Sequence, residues 1–188
     1  MVSTEGLTTP ESQNKTSLFG NALTYGLYTA AAYVMVSLLY YALDIYRITW
    51  LNYLSYIILI AGIVLATINF RDKINGGFIS YGKAFLTGLY ISLLTGIIFA
   101  LYTWVYYTYI HPNGIRELIE LTEQAMVDRG MSDDMIDTQL EMSARFMKMP
   151  LLNIVAFVGM FVWGIIFSLI TSAFLKKNDD SFNATFSQ

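Results

Sequence analysis

The sequence predicts an all-α integral membrane protein: a four-helix bundle with an extramembrane α-helical hairpin inserted between its third and fourth spans. Three observations carry that expectation. First, no Asp, Glu, Lys or Arg occurs in four windows, 18–43, 48–70, 84–110 and 149–175. A bilayer core of about 30 Å needs about 20 apolar residues of helix. One charge at a helix centre costs about 2.5–3.5 kcal/mol on insertion. Second, the windows lack the polar face that a soluble helix shows at a period of about 3.6 residues. Third, segment 111–148 reverses the pattern, with eight carboxylates beside Arg116, Arg129, Arg145 and Lys148.

The elements follow in order. Residues 1–17 form a polar tail whose one cation is Lys15. The first span, 18–43, is longer than the apolar core of a cleaved signal, and the tail before it is acidic. A short turn carries Asp44 and Arg47, spaced for a local ion pair. The second span, 48–70, leads into a basic loop, 71–83, with Arg71, Lys73 and Lys83 against Asp72. After the third span, 84–110, comes the acidic segment 111–148, then the fourth span, 149–175. The closing tail, 176–188, opens on Lys176 and Lys177. Cations beside short loops are retained on the cytoplasmic side. Both termini and the basic loop are therefore expected inside, with 111–148 outside. The same cations can attract anionic lipid headgroups, at about 1 kcal/mol each.

Small residues recur at every fourth position. The third span has Ala84, Gly88, Ser92, Gly96 and Ala100; the first has Ala22, Gly26 and Ala30. The second has Gly62 and Ala66, and the fourth has Gly164, Ser168 and Ser172. In lipid, helices associate by close packing, and small side chains let backbones approach. The stripes predict tight packing with the third span at the centre; a dimer seam is the alternative use. FGNALTYGLYTA at 19–30 and YGKAFLTGLYIS at 81–92 share an offset of 62, which reads as a parallel repeat of two helical hairpins.

Within 111–148, HPNG breaks the third span. Ile115, Leu118, Ile119 and Met126 then share one helical face. Asn113 is placed to cap that helix and Gly130 to stop it. Ser132 is placed to cap a second helix, with Asp133 and Asp134 at its positive end and Ile136, Leu140, Ser143 and Met147 along one face. Pro150 suits the first turn of the fourth span. Met126, Met131, Met135, Met142 and Met147 give the hairpin adaptable contact surface for a partner. Thioethers also bind Cu(I), but the chain has no Cys and a single His, His111, so no metal or other cofactor is expected.

Tyr40, Tyr41, Tyr46, Trp50, Tyr53 and Tyr56 surround the first turn, and Tyr102, Trp104, Tyr106, Tyr107 and Tyr109 end the third span. Amphipathic rings collect at the headgroup level, which makes a belt the commoner use and a ring-lined ligand site the rarer one. Asn52, Asn69 and Asn153 fall near span ends, where interface hydrogen bonding accounts for them.

The run NGGFISYGKAFLTG resembles the signature of a bacterial family catalogued as domain of unknown function 4199. RGMSDDMIDTQLEMSARFM is similar to that family's acidic outer hairpin, and GIIFSLITSAFLKK to its last helix. The resemblance covers about residues 18–178 and implies a four-pass bacterial inner-membrane protein, with the hairpin in the periplasm. It brings no catalytic or binding residues.

The spans contain no intramembrane charge of the kind that marks ion paths and proton relays. No phosphate loop, metal-ligand spacing or nucleophile–base pair appears. Nucleic-acid binding lacks a basic surface. The expectation is a non-enzymatic structural or interaction protein. Its partners would be membrane lipid and either another membrane protein or further copies of itself. A channel or carrier for a small neutral or lipid-like solute is the alternative, lined by Ser, Thr and Tyr.

Overall fold

In the computed structural model, residues 17–45, 48 and 51–177 are described. The expected tails over 1–16 and 178–188, Tyr46, Arg47 with its pairing to Asp44, Trp50, and the side chain of Asn52 lie outside them.

Among the described residues six α-helices follow one another: α1 (Leu18–Ala42), α2 (Asn52–Asn69), α3 (Tyr81–Val105), α4 (Gly114–Asp128), α5 (Asp133–Phe146) and α6 (Met149–Leu175). Wider π-helical turns prolong α2 through Phe70–Ile74 and α3 through Tyr106–Ile110. Among the described residues there is no strand, only an isolated bridge between Ile79 and Lys177.

Local chemistry sets the ends. Ser17 Oγ accepts from the Gly20 amide at 3.0 Å, and Ser80 Oγ from the Lys83 amide at 3.4 Å. Helix α3 therefore starts before the charge-free window, with Lys83 in its first turn. A charge is excluded from the lipid interior but not from a helix end, where a lysine stem can follow apolar surface to water. Helix α6 fills its whole charge-free window and has Pro150 in its first turn, where no helical amide is lost.

Helix α3 packs against α1, α2 and α6, and so occupies the middle of the bundle. The bundle is inverted relative to a soluble one. Its fully buried positions include Thr67, Thr87, Ser92, Thr95 and Ser168, whereas Ile154, Val158, Val162, Ile166 and Ile170 of α6 are exposed and Phe174 is 83% exposed. In water that surface would drive aggregation; against lipid it is the stable arrangement. Several buried hydroxyls are satisfied within their own helices: Thr29 donates to the Tyr25 carbonyl and Thr67 to that of Ile63, both at 2.7 Å. Segments Leu18–Ala42, Tyr53–Ile74, Tyr81–Ile110 and Met149–Leu175 are each long and apolar enough to cross a membrane. The chain is a multi-pass membrane protein.

The small-residue positions lie largely at the crossings. A Cβ built on Gly164 would collide with Ser92, and one on Gly88 with Ser168, so α3 and α6 interlock glycine to serine twice. Gly62 sits against Thr29, Gly96 against Phe157 and Gly26 against Leu94. Ala30 and Ala84 are buried. Ser168 Oγ donates across to the Phe85 carbonyl at 2.8 Å. Ala100 is different: it lines a surface hollow of about 400 Å³ with Ile97, Leu101, Trp104, Asn153 and Phe157. Among the described residues the Asn153 Oδ1 there has no hydrogen-bond partner. Asn69 does bond across an interface: its Nδ2 donates to Asn21 Oδ1 at 2.7 Å, and Asn21 Nδ2 to the Ala66 carbonyl at 2.9 Å.

Candidate functional site

The two ends of the bundle differ in kind. At one end the loop after α2 folds onto the C-terminus of α6. Gly76 and Gly77 turn the chain at φ +70° and +91°, where a Cβ would be strained. Ile79 and Lys177 exchange two backbone hydrogen bonds at 2.9 Å. Arg71 pairs with Asp72 at 2.7 Å and donates to the Leu175 carbonyl at 3.4 Å, at the negative end of α6. Lys177 Nζ lies 5.7 Å from the centre of the Phe78 ring. Phe70, Ile79 and Ala84 form a small core beneath, joined by Leu18 and Ile74. Arg71, Lys73, Lys83, Lys176 and Lys177 are thus gathered at one end, two of them holding the loop to α6. The residues of NGGFISYGK have mechanical roles here: turn, ring under a cation, core anchor, cap.

The other end carries the hairpin and a cavity. Helix α4 stops in a Schellman turn: the Gly130 amide donates to the Val127 carbonyl at 2.8 Å and the Met131 amide to that of Met126 at 3.2 Å, with Gly130 at φ +71°. Asn113 and Ser132 precede α4 and α5, but neither side chain makes a capping hydrogen bond. Met126 and Ile136 are buried where the arms meet. Met131 and Met147 are half-buried, while Met135 and Met142 are exposed.

Beneath α4 lies a cavity of about 400 Å³. Helix α1 contributes Tyr33, Ser37 and Tyr40; α2 contributes Ser55; α3 and its π-helical extension contribute Phe99, Tyr102, Thr103, Tyr106 and Tyr107. His111, Gly114, Glu117, Leu118 and Leu121 form the hairpin side, and Leu152 and Ala156 the α6 side. Gly114 is required there, since a Cβ would stand 2.8 Å from His111 Nδ1 and 3.0 Å from the Tyr107 ring. His111 Nε2 lies 3.1 Å from Glu117 Oε1. Tyr106 packs edge-to-face with Tyr107 (85°) and with His111 (87°).

Most tyrosine hydroxyls around this cavity are already donating. Tyr33 donates to the Ser55 carbonyl at 2.6 Å, Tyr40 to that of Leu51 at 3.2 Å and Tyr102 to Ser37 Oγ at 2.9 Å. Below, Leu59, Ile63 and Ile91 are fully buried and fill the bundle. Among the described residues no three His, Asp or Glu side chains converge as a metal set. Sequence reasoning placed these rings at one end but read them as a belt. Exposed Tyr53 and Tyr109 suit a belt, whereas Tyr102, Tyr106 and Tyr107, with Tyr33 beside them, line a partly open cavity. The signal that could have separated them is HPNG followed by Glu117, which places a carboxylate on the helix that returns over the rings.

No match is found among curated proteins or among solved structures. The loop-end motif, the four spans and the intervening hairpin coincide with one family model, described as protein of unknown function (DUF4199), which matches residues 24–177; the chain belongs to that family.

Proposed function

We propose that the protein is a non-enzymatic structural or interaction subunit of the bacterial inner membrane, with both termini cytoplasmic and the α4–α5 hairpin docking a partner in the periplasm. The cation-rich loop end supports that orientation. One observation carries the docking role: α5 has two apolar faces. Ile136 is buried, while Met135, Met142 and Phe146, spaced seven and four residues apart, form an exposed stripe about 100° round the helix from it. A hairpin that served only to cover the bundle would need the first face alone. Deformable thioethers beside an aromatic ring suit a protein contact.

A channel or carrier is favoured less, because Leu59, Ile63 and Ile91 are fully buried together in an apolar core. The test is a photo-crosslinking residue introduced in turn at Met135, Met142 and Phe146 in native membranes, with buried Met126 as the control site. The reading expects one discrete protein adduct shared by the three exposed sites and missing at Met126. Adducts to lipid alone would overturn it.

A further inference from the structure

We propose that Met135 and Met142 are sites of reversible sulfoxidation, through which a two-electron oxidant on the hairpin side of the membrane switches off the docking face. This switch rests on the docking role proposed above, and it acts on the hairpin before a partner covers it.

Oxidants of this class attack sulfur, and the chain has no cysteine, so its thioethers carry the chemistry. Six of its nine methionines, Met126, Met131, Met135, Met142, Met147 and Met149, fall in the hairpin and its junction with α6. The fold sorts them. Met135 and Met142 are 53% and 55% exposed, about two turns apart on α5. Met126, buried where the arms meet, is 9% exposed, and Met160 is buried in the bundle core. Met131, Met147 and Met149 are half-buried. Met35 is exposed, but on a span, where lipid surrounds it. Susceptibility follows access to the sulfur, which puts the two α5 thioethers first in line.

The oxidant class is a hypohalous acid. With hypochlorous acid, sulfur gives up two electrons, a sulfur–oxygen bond forms, the chlorine–oxygen bond breaks, and chloride and one proton leave. The product is a polar sulfoxide where a deformable apolar thioether stood, a change that disrupts Met-rich contacts. Beside Phe146 it spoils the surface a partner would cover. Met126 and Ile136 are shielded, so the arms stay packed and the hairpin keeps its fold. Sulfoxide reductases reverse the step.

The test has two arms. In the first, the purified full chain in detergent is treated with substoichiometric hypochlorous acid, quenched with free methionine and read by peptide mass spectrometry. Met135 and Met142 should carry at least about tenfold more sulfoxide than Met126 or Met160. Equal oxidation of all four overturns the proposal. In the second, native membranes holding the chain with a photo-crosslinking residue at Phe146 receive the same oxidant before illumination. The protein adduct should fall about fivefold or more, and return once sulfoxide reductases for both epimers are added. It should persist in a chain that also carries Met135→Leu and Met142→Leu, which keep the apolar volume and offer no sulfur. An adduct that persists in the parent, that the reductases do not restore, or that oxidation removes equally from the leucine variant overturns the switch and leaves the docking role standing. No adduct before oxidant overturns both. The first arm and the reductase reversal need no methionine variant, so a misfolded variant leaves the proposal testable.

Discussion

Replacing Gly164 by alanine adds one methyl group at the tightest crossing in the bundle. The new Cβ would fall inside the contact distance of Ser92 Cβ and Oγ, and 3.4 Å from Ser92 Cα. Ser92 belongs to α3, so no flexible side-chain end can move aside. Carbon pairs pack best at about 3.5–4.0 Å, which requires α3 and α6 to part by about 1 Å. Overpacking of this kind costs about 1–3 kcal/mol. Better helix propensity returns at most about 1 kcal/mol. The net expectation for Gly164→Ala is a loss of about 1–2 kcal/mol. The compensating change is Ser92→Gly, which empties the colliding volume. The Ser92 hydroxyl donates to Gly88 of its own helix, so removing it breaks no bond between helices. The double variant should be about as stable as Ser92→Gly alone, a coupling of at least about 1 kcal/mol. The assay is reversible unfolding by SDS in mixed micelles, followed by tryptophan fluorescence. A Gly164→Ala variant as stable as the parent, or purely additive changes, would refute the interlock.

Three further outcomes follow from individual contacts. Gly77→Ala, at φ +91°, should destabilise the loop end by about 1–2 kcal/mol, whereas Gly82→Ala, with open space around it, should be neutral or stabilising by up to about 1 kcal/mol; thermal unfolding in detergent measures both. Asn21→Ala removes the acceptor of Asn69 and the donor to Ala66 and should cost about 0.6–2 kcal/mol in the same SDS titration. Tyr102→Phe deletes the hydroxyl that joins α3 to Ser37 of α1 and should cost about 0.5–1.5 kcal/mol, read by the same unfolding.

The spans were legible because lipid penalises charge so heavily that charge-free runs map onto helices directly, as the 149–175 window and α6 show. Helix starts were less so. A charge-free window ends at the first cation, yet Lys83 sits in the first turn of α3, whose start is set by Ser80. Asn113 has the right residue type and position for a cap, but its backbone lies in the helical region and no side-chain bond forms. Nor does a one-dimensional pattern reveal wider turns such as Phe70–Ile74 and Tyr106–Ile110. The cavity was hidden for a related reason. Periodicity reports which residues share a face, not whether the faces they meet leave room between them. Tyr33, Ser55 and Leu152 come from three helices, and only the fold brings them to the same walls.

The most direct measurement of the account is two-sided cysteine labelling in intact cells. The chain has no native cysteine, so single substitutions Gly76→Cys, Gln139→Cys and Lys176→Cys each report one position. With a membrane-impermeant maleimide, the hairpin position 139 should label in intact, outer-membrane-permeabilised cells, and positions 76 and 176 only after the inner membrane is opened. Labelling of all three positions from the same side would contradict a bundle that crosses the membrane four times with its hairpin and its basic loop on opposite faces.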